Sequence, residues 1–294
     1  MPLPALASVV ELLKPITWFP PMWAFGCGAV SSGQSVSGRW PTIVAGIALS
    51  GPLVCAASQA INDWFDRHVD AINEPNRPIP SGRIPGRWGL FIAWLWTGLS
   101  LLLGAALGKW VLLATAVGLL FAWAYSAPPL RFKQNGWVGN AAVAISYEGL
   151  AWITGAAVMI SGTLPEARIL LLAGLYSAGA HGIMTLNDFK SVEGDKQMGV
   201  RSLPVLLGVK NAGRVACAFM ALAQVIVILF LLAWNRPIHA GIVALLLVVQ
   251  LVLMTRLLES PRERAPWYGG TGVTLYVLGM LVSAFALRPA AGSI

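Results

Sequence analysis

The sequence predicts an all-α, polytopic membrane protein, with nine transmembrane helices in a bundle and a cytoplasmic cap of loops and short helices. Three observations carry this reading. The 294 residues are 57% hydrophobic and only 11% charged, whereas a soluble chain carries about a quarter charged residues. The apolar residues fall in long runs, most of them near the ~20 residues a helix needs to cross a hydrocarbon core. Lipid offers the backbone no hydrogen bonds, so long continuous apolar runs point to helices rather than a barrel.

The first span, 15–33, starts at Lys14-Pro15, with no cleavable signal pattern before it. The second, 41–62, runs into an acidic stretch. The third and fourth, 88–107 and 110–126, are so closely spaced that a hairpin with a different break reads almost as well. The fifth, 137–160, contains Glu148, and the sixth, 167–187, runs into a second acidic stretch. Spans 212–234, 237–257 and 267–287 complete one membrane domain, 1–294. After the second span, residues 67–87 include Pro75, Pro78, Pro80 and Pro85 with Gly82 and Gly86, which excludes a continuous helix. The matching loop, 188–211, holds Lys196, Arg201 and Lys210. An acidic span end followed by a basic loop thus occurs twice, four spans apart, as in a fold of two related halves plus one helix.

Most of the 20 Lys and Arg residues, among them Lys14, Arg77, Arg83, Lys133, Lys190 and Arg256, fall in loops on one side; Arg39, Lys109, Arg168, Arg236 and Arg288 fall on the other. The positive-inside rule puts the N-terminus and both acidic stretches in the cytoplasm and the C-terminus outside. This asymmetry accounts for the net charge of +8 without any nucleic acid. Cys27, Cys55 and Cys217 lie within spans without metal-type spacing and read as small packing residues.

Half of the 12 acidic residues lie in the two stretches: Asp63, Asp66 and Asp70 in the first, Asp188, Glu193 and Asp195 in the second. On a helix Asp66 and Asp70 fall about 60° and 20° from Asp63, so the three form one stripe. Continued helix beyond the sixth span would set Asp188, Ser191 and Asp195 on a similar stripe, with Glu193 pointing away. Carboxylates at a membrane edge are expensive unless paired, and several cannot share a site without a cation. An all-oxygen set suits Mg²⁺, which takes one or two carboxylates and completes its shell with water and phosphate oxygens. Asp63, Asp66, Asp70, Asp188 and Asp195 are therefore the candidate metal-binding and catalytic residues. Asn62 and Asn187 open the two clusters, and Arg77, Lys196 and Arg201 are cations placed to hold remaining phosphate oxygens. Together they describe a diphosphate site above a greasy bundle, as a prenyl diphosphate requires. The alternative is a pair of solvated helix ends with ordinary caps.

The pattern Asn62-Asp63-x-x-Asp66-x-x-x-Asp70, the second Asp-rich helix end and the Tyr125-Ser126-Ala127-Pro128-Pro129-Leu130-Arg131 turn resemble the UbiA-type intramembrane prenyltransferase superfamily. Residues 70–82, 186–195 and 199–205 are similar to its chlorophyll and bacteriochlorophyll synthase branch. Residues 13–23 and 180–185 look like the bacteriochlorophyll side of that branch, in purple photosynthetic bacteria. The resemblance implies Mg²⁺-dependent esterification of bacteriochlorophyllide a with geranylgeranyl or phytyl diphosphate, the last step of bacteriochlorophyll biosynthesis. It also suggests pigment-biosynthesis or light-harvesting assembly proteins as partners. Many superfamily members carry Asp where Ser191 stands, a departure the pigment synthases share; it argues against equal metal holding by the two helix ends. An acceptor propionate, with a pKa near ~4, is already ionised and needs no strong base, unlike a phenol near ~10.

Tyr125, Ser126 and Lys133 could flank the diphosphate. Glu148, inside a span, faces either the pigment or a structural partner. His181 either ligates or hydrogen-bonds the pigment, or packs against a neighbouring helix. Rival functions are chlorophyll synthesis, prenylation of quinone or haem precursors, lipid-diphosphate transport and pigment carriage. Transporters usually place their site near the midplane in broken helices, whereas both clusters here lie at one membrane edge.

Overall fold

The computed structural model describes residues 2–288. In chain order its helices are α1 (Leu6–Leu13), α2 (Phe19–Ser31), α3 (Trp40–Ala48), α4 (Ala56–Asn73), α5 (Trp88–Leu107), α6 (Lys109–Ser126), α7 (Gly136–Ala144) and α8 (Ala151–Met159). They continue with α9 (Ala167–Asn187), α10 (Val192–Gln197), α11 (Leu203–Leu207), α12 (Val209–Ala233), α13 (Pro237–Glu259), α14 (Pro261–Gly270) and α15 (Gly272–Ala286). Among the described residues the β structure is a single bridge, Asn135 to Arg201.

Eight helical segments among the described residues are long and apolar enough to cross a membrane. They correspond to the second through ninth expected spans. A ninth crossing is not confirmed: the expected span 15–33 is a 3₁₀ turn, Pro15–Thr17, followed by the 13-residue α2. At 1.5 Å per residue α2 is about 20 Å long, against a hydrocarbon core of about 30 Å. Pro15 opens the 3₁₀ turn, and Pro20 and Pro21 lie in the first turn of α2, where a missing backbone donor is tolerated.

The chain divides into two compact units. One comprises the chain up to Ala29, Ser35–Arg131 and Leu150–Leu164; the other comprises Val30–Gln34, Phe132–Gly149 and the chain from Pro165 on. Each unit carries one acidic cluster.

In the first unit, α3 and α4 are joined by a π-helical stretch, Leu49–Cys55, that contains Pro52. Proline removes one backbone donor and crowds the preceding turn, and the wider turn absorbs both without ending the helix. The resulting segment, Trp40–Asn73, has 34 residues, about 51 Å of helix. That exceeds the hydrocarbon core by roughly 20 Å, so its polar end, with the acidic motif, projects beyond the apolar layer. Leu12 and Leu13 of α1 pack with Ala56, Ala60 and Ile61 of α4, Ile84 of the following loop, and Ile92 and Ala93 of α5. Burying each leucine relative to water contributes about 1.5–3 kcal/mol; an eight-residue helix would not persist without such packing. Helices α2 and α8 approach backbone to backbone. A Cβ on Gly28 would lie 1.9 Å from the Trp152 carbonyl oxygen, and one on Gly155 2.0 Å from that of Phe25. Small residues allow this approach where lipid supplies no hydrophobic drive between helices.

In the second unit α9 lies against α12 so closely that a Cβ on Gly182 would stand 2.3 Å from the Ala216 carbonyl oxygen. Polar groups tie the remaining helices together. Tyr276 OH donates to the Tyr176 carbonyl oxygen at 2.7 Å, Tyr176 OH and Ser283 Oγ share a hydrogen bond of 2.7 Å, and Gln250 Nε2 donates to the Gly272 carbonyl oxygen at 2.9 Å. These buried groups thus find partners within the bundle, as an apolar surround demands. The loop after α10 is pinned at the base of α7: Gly136 N donates to the Arg201 carbonyl oxygen at 2.9 Å, and Arg201 N to that of Gln134 at 3.0 Å.

Candidate active site

The first cluster lies on α4, whose unbroken turns keep Asp63, Asp66 and Asp70 on the one stripe the spacing predicts. Asp63 is 1% exposed and Asp70 6%. Two cations reach them. Lys14 Nζ stands 2.6 Å from Asp63 Oδ1; Arg77 Nη1 is 2.8 Å from Asp70 Oδ2 and 3.6 Å from Asp63 Oδ1. Burial works against the Arg77 charge, but Asp63 and Asp70 beside it outweigh that and raise its pKa above the ordinary arginine value. Asn62 Nδ2 donates to Asp66 Oδ2 at 2.9 Å and to Ser126 Oγ at 3.4 Å. Ser126, at the end of α6, is buried, and Tyr125 before it is half-buried. Asp63 Oδ2 is buried and accepts no hydrogen bond.

The Arg77 loop is fixed from outside the cluster. Ile84 N donates to the Pro78 carbonyl oxygen at 2.8 Å, and the buried Ile84 side chain anchors the turn. Both Arg83 Nη atoms meet the Glu11 carboxylate of α1. The hydrogen bond from Arg83 is the main cause holding the Glu11 carboxyl below its ordinary pKa.

The second cluster departs from the expected stripe. Helix α9 ends at Asn187; Asp188–Lys190 form a 3₁₀ turn, and Ser191 precedes the separate α10. Asp188 and Asp195 therefore share no helix face. Ser191, Val192 and Gly194 are weak helix formers, and a serine hydroxyl competes for nearby backbone carbonyls. Ser191 instead joins the acids across the bend: its Oγ is 3.2 Å from the Asp188 carbonyl oxygen and 3.4 Å from Asp195 Oδ2, and Asp195 N donates to the Ser191 carbonyl oxygen at 2.8 Å. Asn140 Nδ2, from α7, donates to Asp188 Oδ2 at 3.0 Å and lies 3.4 Å from Thr185 Oγ1. Asn187 is exposed, with Nδ2 4.0 Å from Met184 Sδ. Lys196 and Arg201 are exposed, and Lys133 is half-buried.

Residues 17–270 match the UbiA prenyltransferase family. The chain belongs to that family. It is 59% identical over 285 residues to a bacteriochlorophyll synthase 33 kDa chain of Cereibacter sphaeroides, covering 97% of this chain and 94% of that one. A chloroplastic chlorophyll synthase of Oryza sativa subsp. japonica is 40% identical over 288 residues, covering 94% and 76%. In fold the chain resembles a UbiA homolog from Archaeoglobus fulgidus bound to GPP and Mg²⁺, with a TM-score of 0.69 at 19% identity, covering 93% and 99%.

In this UbiA family member, no three Asp, Glu, His or Cys side chains among the described residues gather closely enough to hold a metal ion alone. Mg²⁺ needs only one or two carboxylates when phosphate and water fill its shell. The oxygen-only donors and the partnerless, buried Asp63 Oδ2 fit such an ion. His181 packs against Phe219, at 4.6 Å between ring centroids, and Trp137, at 5.7 Å, in a three-ring cluster. Its Nε2 lies 3.2 Å from the Trp137 carbonyl oxygen, which can only accept, so that nitrogen carries the proton. Glu148 sits in a π-helical stretch, Ile145–Leu150, buried, with Oε2 lacking a hydrogen-bond partner.

Two contacts of the clusters lie outside the sequence-predicted set. Lys14 signals itself only as the residue before Pro15, at a span edge. Asn140 is an amide in an otherwise apolar span, a departure from pattern visible without knowledge of its partner.

Proposed function

We propose that the protein transfers a geranylgeranyl or phytyl group from its diphosphate to the propionate carboxylate of bacteriochlorophyllide a, giving bacteriochlorophyll a. The observation that carries the reading is the α4 carboxylate stripe with its buried, partnerless Asp63 Oδ2, in a chain of the prenyltransferase family. The 59% identity to a bacteriochlorophyll synthase chain supports the pigment acceptor.

Asp63, Asp66, Asp70, Asp188 and Asp195 are the metal-binding and catalytic residues of one prenyltransferase domain, residues 1–294. Bound there, Mg²⁺ supplies positive charge to the departing pyrophosphate. Arg77 stays protonated throughout and orients Asp70. Asn62, itself bonded to Ser126, fixes Asp66, and Asn140 fixes Asp188. Lys133, Lys196, Arg201, Tyr125 and Asn187 line the diphosphate's approach. The allylic C–O bond breaks, pyrophosphate departs with the electron pair, and a propionate oxygen forms the new C–O bond. No proton is removed from the acceptor, because its carboxyl is ionised at neutral pH. Glu148 and His181 contact the pigment. The site faces the cytoplasm from the inner membrane, and pigment-assembly proteins receive the product.

The test is esterification by purified protein supplied with bacteriochlorophyllide a, geranylgeranyl diphosphate and Mg²⁺. Chelation should abolish product. Asp66→Ala and Asp188→Ala should each lower the rate on the order of 100-fold or more while the protein still inserts. Product formed at the wild-type rate under chelation, or by either variant, would refute the proposal. If Glu148 binds pigment, Glu148→Gln raises the KM for the pigment more than that for the diphosphate.

A further inference from the structure

We infer that Lys14 is the resident cation of the Asp63 carboxylate, so that the site takes up a divalent metal together with a diphosphate in preference to the free ion. The inference rests on the metal–diphosphate reading above and adds an order of loading to it.

Lys14 is built into the corner between α1 and the 3₁₀ turn. Its backbone is left-handed, with φ 47° and ψ 69°. Its carbonyl oxygen accepts hydrogen bonds from Thr17 N at 2.9 Å and Thr17 Oγ1 at 2.8 Å. Helix α1 is held on one side by buried Leu12 and Leu13 and on the other by the Glu11–Arg83 pair. The backbone is therefore fixed, and the long side chain reaches 2.6 Å from Asp63 Oδ1. The two ends of that contact differ sharply: the Asp63 side chain is 2% exposed and that of Lys14 25%. A buried carboxylate needs a counter-charge, while a flexible ammonium with an open side can leave.

Charge balance sets the order. Three carboxylates lie on the stripe, and Lys14 and Arg77 already touch two of them. A free dication settling on Asp63 would meet one uncompensated negative charge and an ammonium held against the same carboxylate. A diphosphate changes this by bringing several negative charges, which give the displaced Lys14 ammonium a new partner. Arg77, fixed by Asp70, remains in place. Lys14 is thus a positioning residue: it acts on metal uptake through Asp63.

A purely structural Lys14, tethering α1 to α4, would weaken metal binding when removed; a resident cation would strengthen it. The experiment measures Mn²⁺ binding by electron paramagnetic resonance to full-length wild type, K14M and K14R in lipid nanodiscs, with and without inorganic pyrophosphate. Without pyrophosphate, K14M should bind Mn²⁺ about tenfold more tightly than wild type, and K14R should match wild type. Pyrophosphate should tighten Mn²⁺ binding to wild type more than to K14M. Should K14M fail to insert, K14Q, which keeps a donor for Asp63 without the charge, should show the same tightening. Equal or weaker Mn²⁺ binding by the neutral variants, with wild type still responding to pyrophosphate, overturns the inference alone. No Mn²⁺ binding by wild type even with pyrophosphate overturns the metal site and this inference with it.

Discussion

Asn140 shows how much one side chain decides. It is 7% exposed and donates to Asp188 Oδ2; a hydrogen bond to a charged group is worth about 1.5–3 kcal/mol. Asn140→Leu keeps the branched shape and removes the donor. Steady-state kinetics should show kcat/KM for the diphosphate falling about tenfold or more at limiting Mg²⁺, with partial recovery as Mg²⁺ rises. An unchanged value would mean that Asn140 only packs. Glu11 gives a pH-dependent case. Its carboxyl pKa is held down in the folded protein, so its stabilising effect is complete above the ordinary carboxylate pKa. It is lost as pH falls through the lowered value. Thermal unfolding between neutral and acidic pH should show Glu11→Gln with a lower melting temperature at neutral pH and a shallower acid decline than wild type. The candidate carboxylates themselves were legible because acids are rare in this chain and spaced by helical turns. Lys14 was not, because its role depends on a left-handed corner that brings it to a residue 49 positions away.

At the scale of elements, the two acidic stretches look alike in sequence and fold differently. Spacing on α4 was readable because the helix runs unbroken to Asn73. Spacing after α9 was not, because helical periodicity says nothing once the backbone leaves the helix. The bend assigns Ser191 a place between the two acids, with its Oγ 3.4 Å from Asp195 Oδ2. Ser191→Asp would set a second carboxylate against Asp195, and like charges resist sharing that space. Esterification should slow; a clear rise in rate would contradict this account. The α2–α8 crossing tests packing independently of chemistry. Gly28→Val places a side chain where even a Cβ would meet the Trp152 carbonyl oxygen at 1.9 Å. Destabilisation on the order of 3 kcal/mol is expected, measured as a lower unfolding midpoint in detergent. Wild-type stability would mean that the crossing is looser than described.

Across the whole molecule, composition made the membrane class and the helical fold plain, and eight of the expected spans appear as helical segments of sufficient length. The first expected span is not confirmed, because the chain there forms a 3₁₀ turn and a 13-residue helix, which apolar composition alone does not reveal. The two acidic span ends fall one in each of the two compact units. The central claim is that the Asp63–Asp70 stripe holds a divalent metal against a prenyl diphosphate. It is tested most directly by an experimental structure of the protein with Mn²⁺ and a non-hydrolysable geranylgeranyl diphosphate analogue, with the metal located by anomalous scattering. The account expects Mn²⁺ on the diphosphate oxygens with a carboxylate ligand from that stripe. Metal and diphosphate bound with no ligand from the stripe would contradict it.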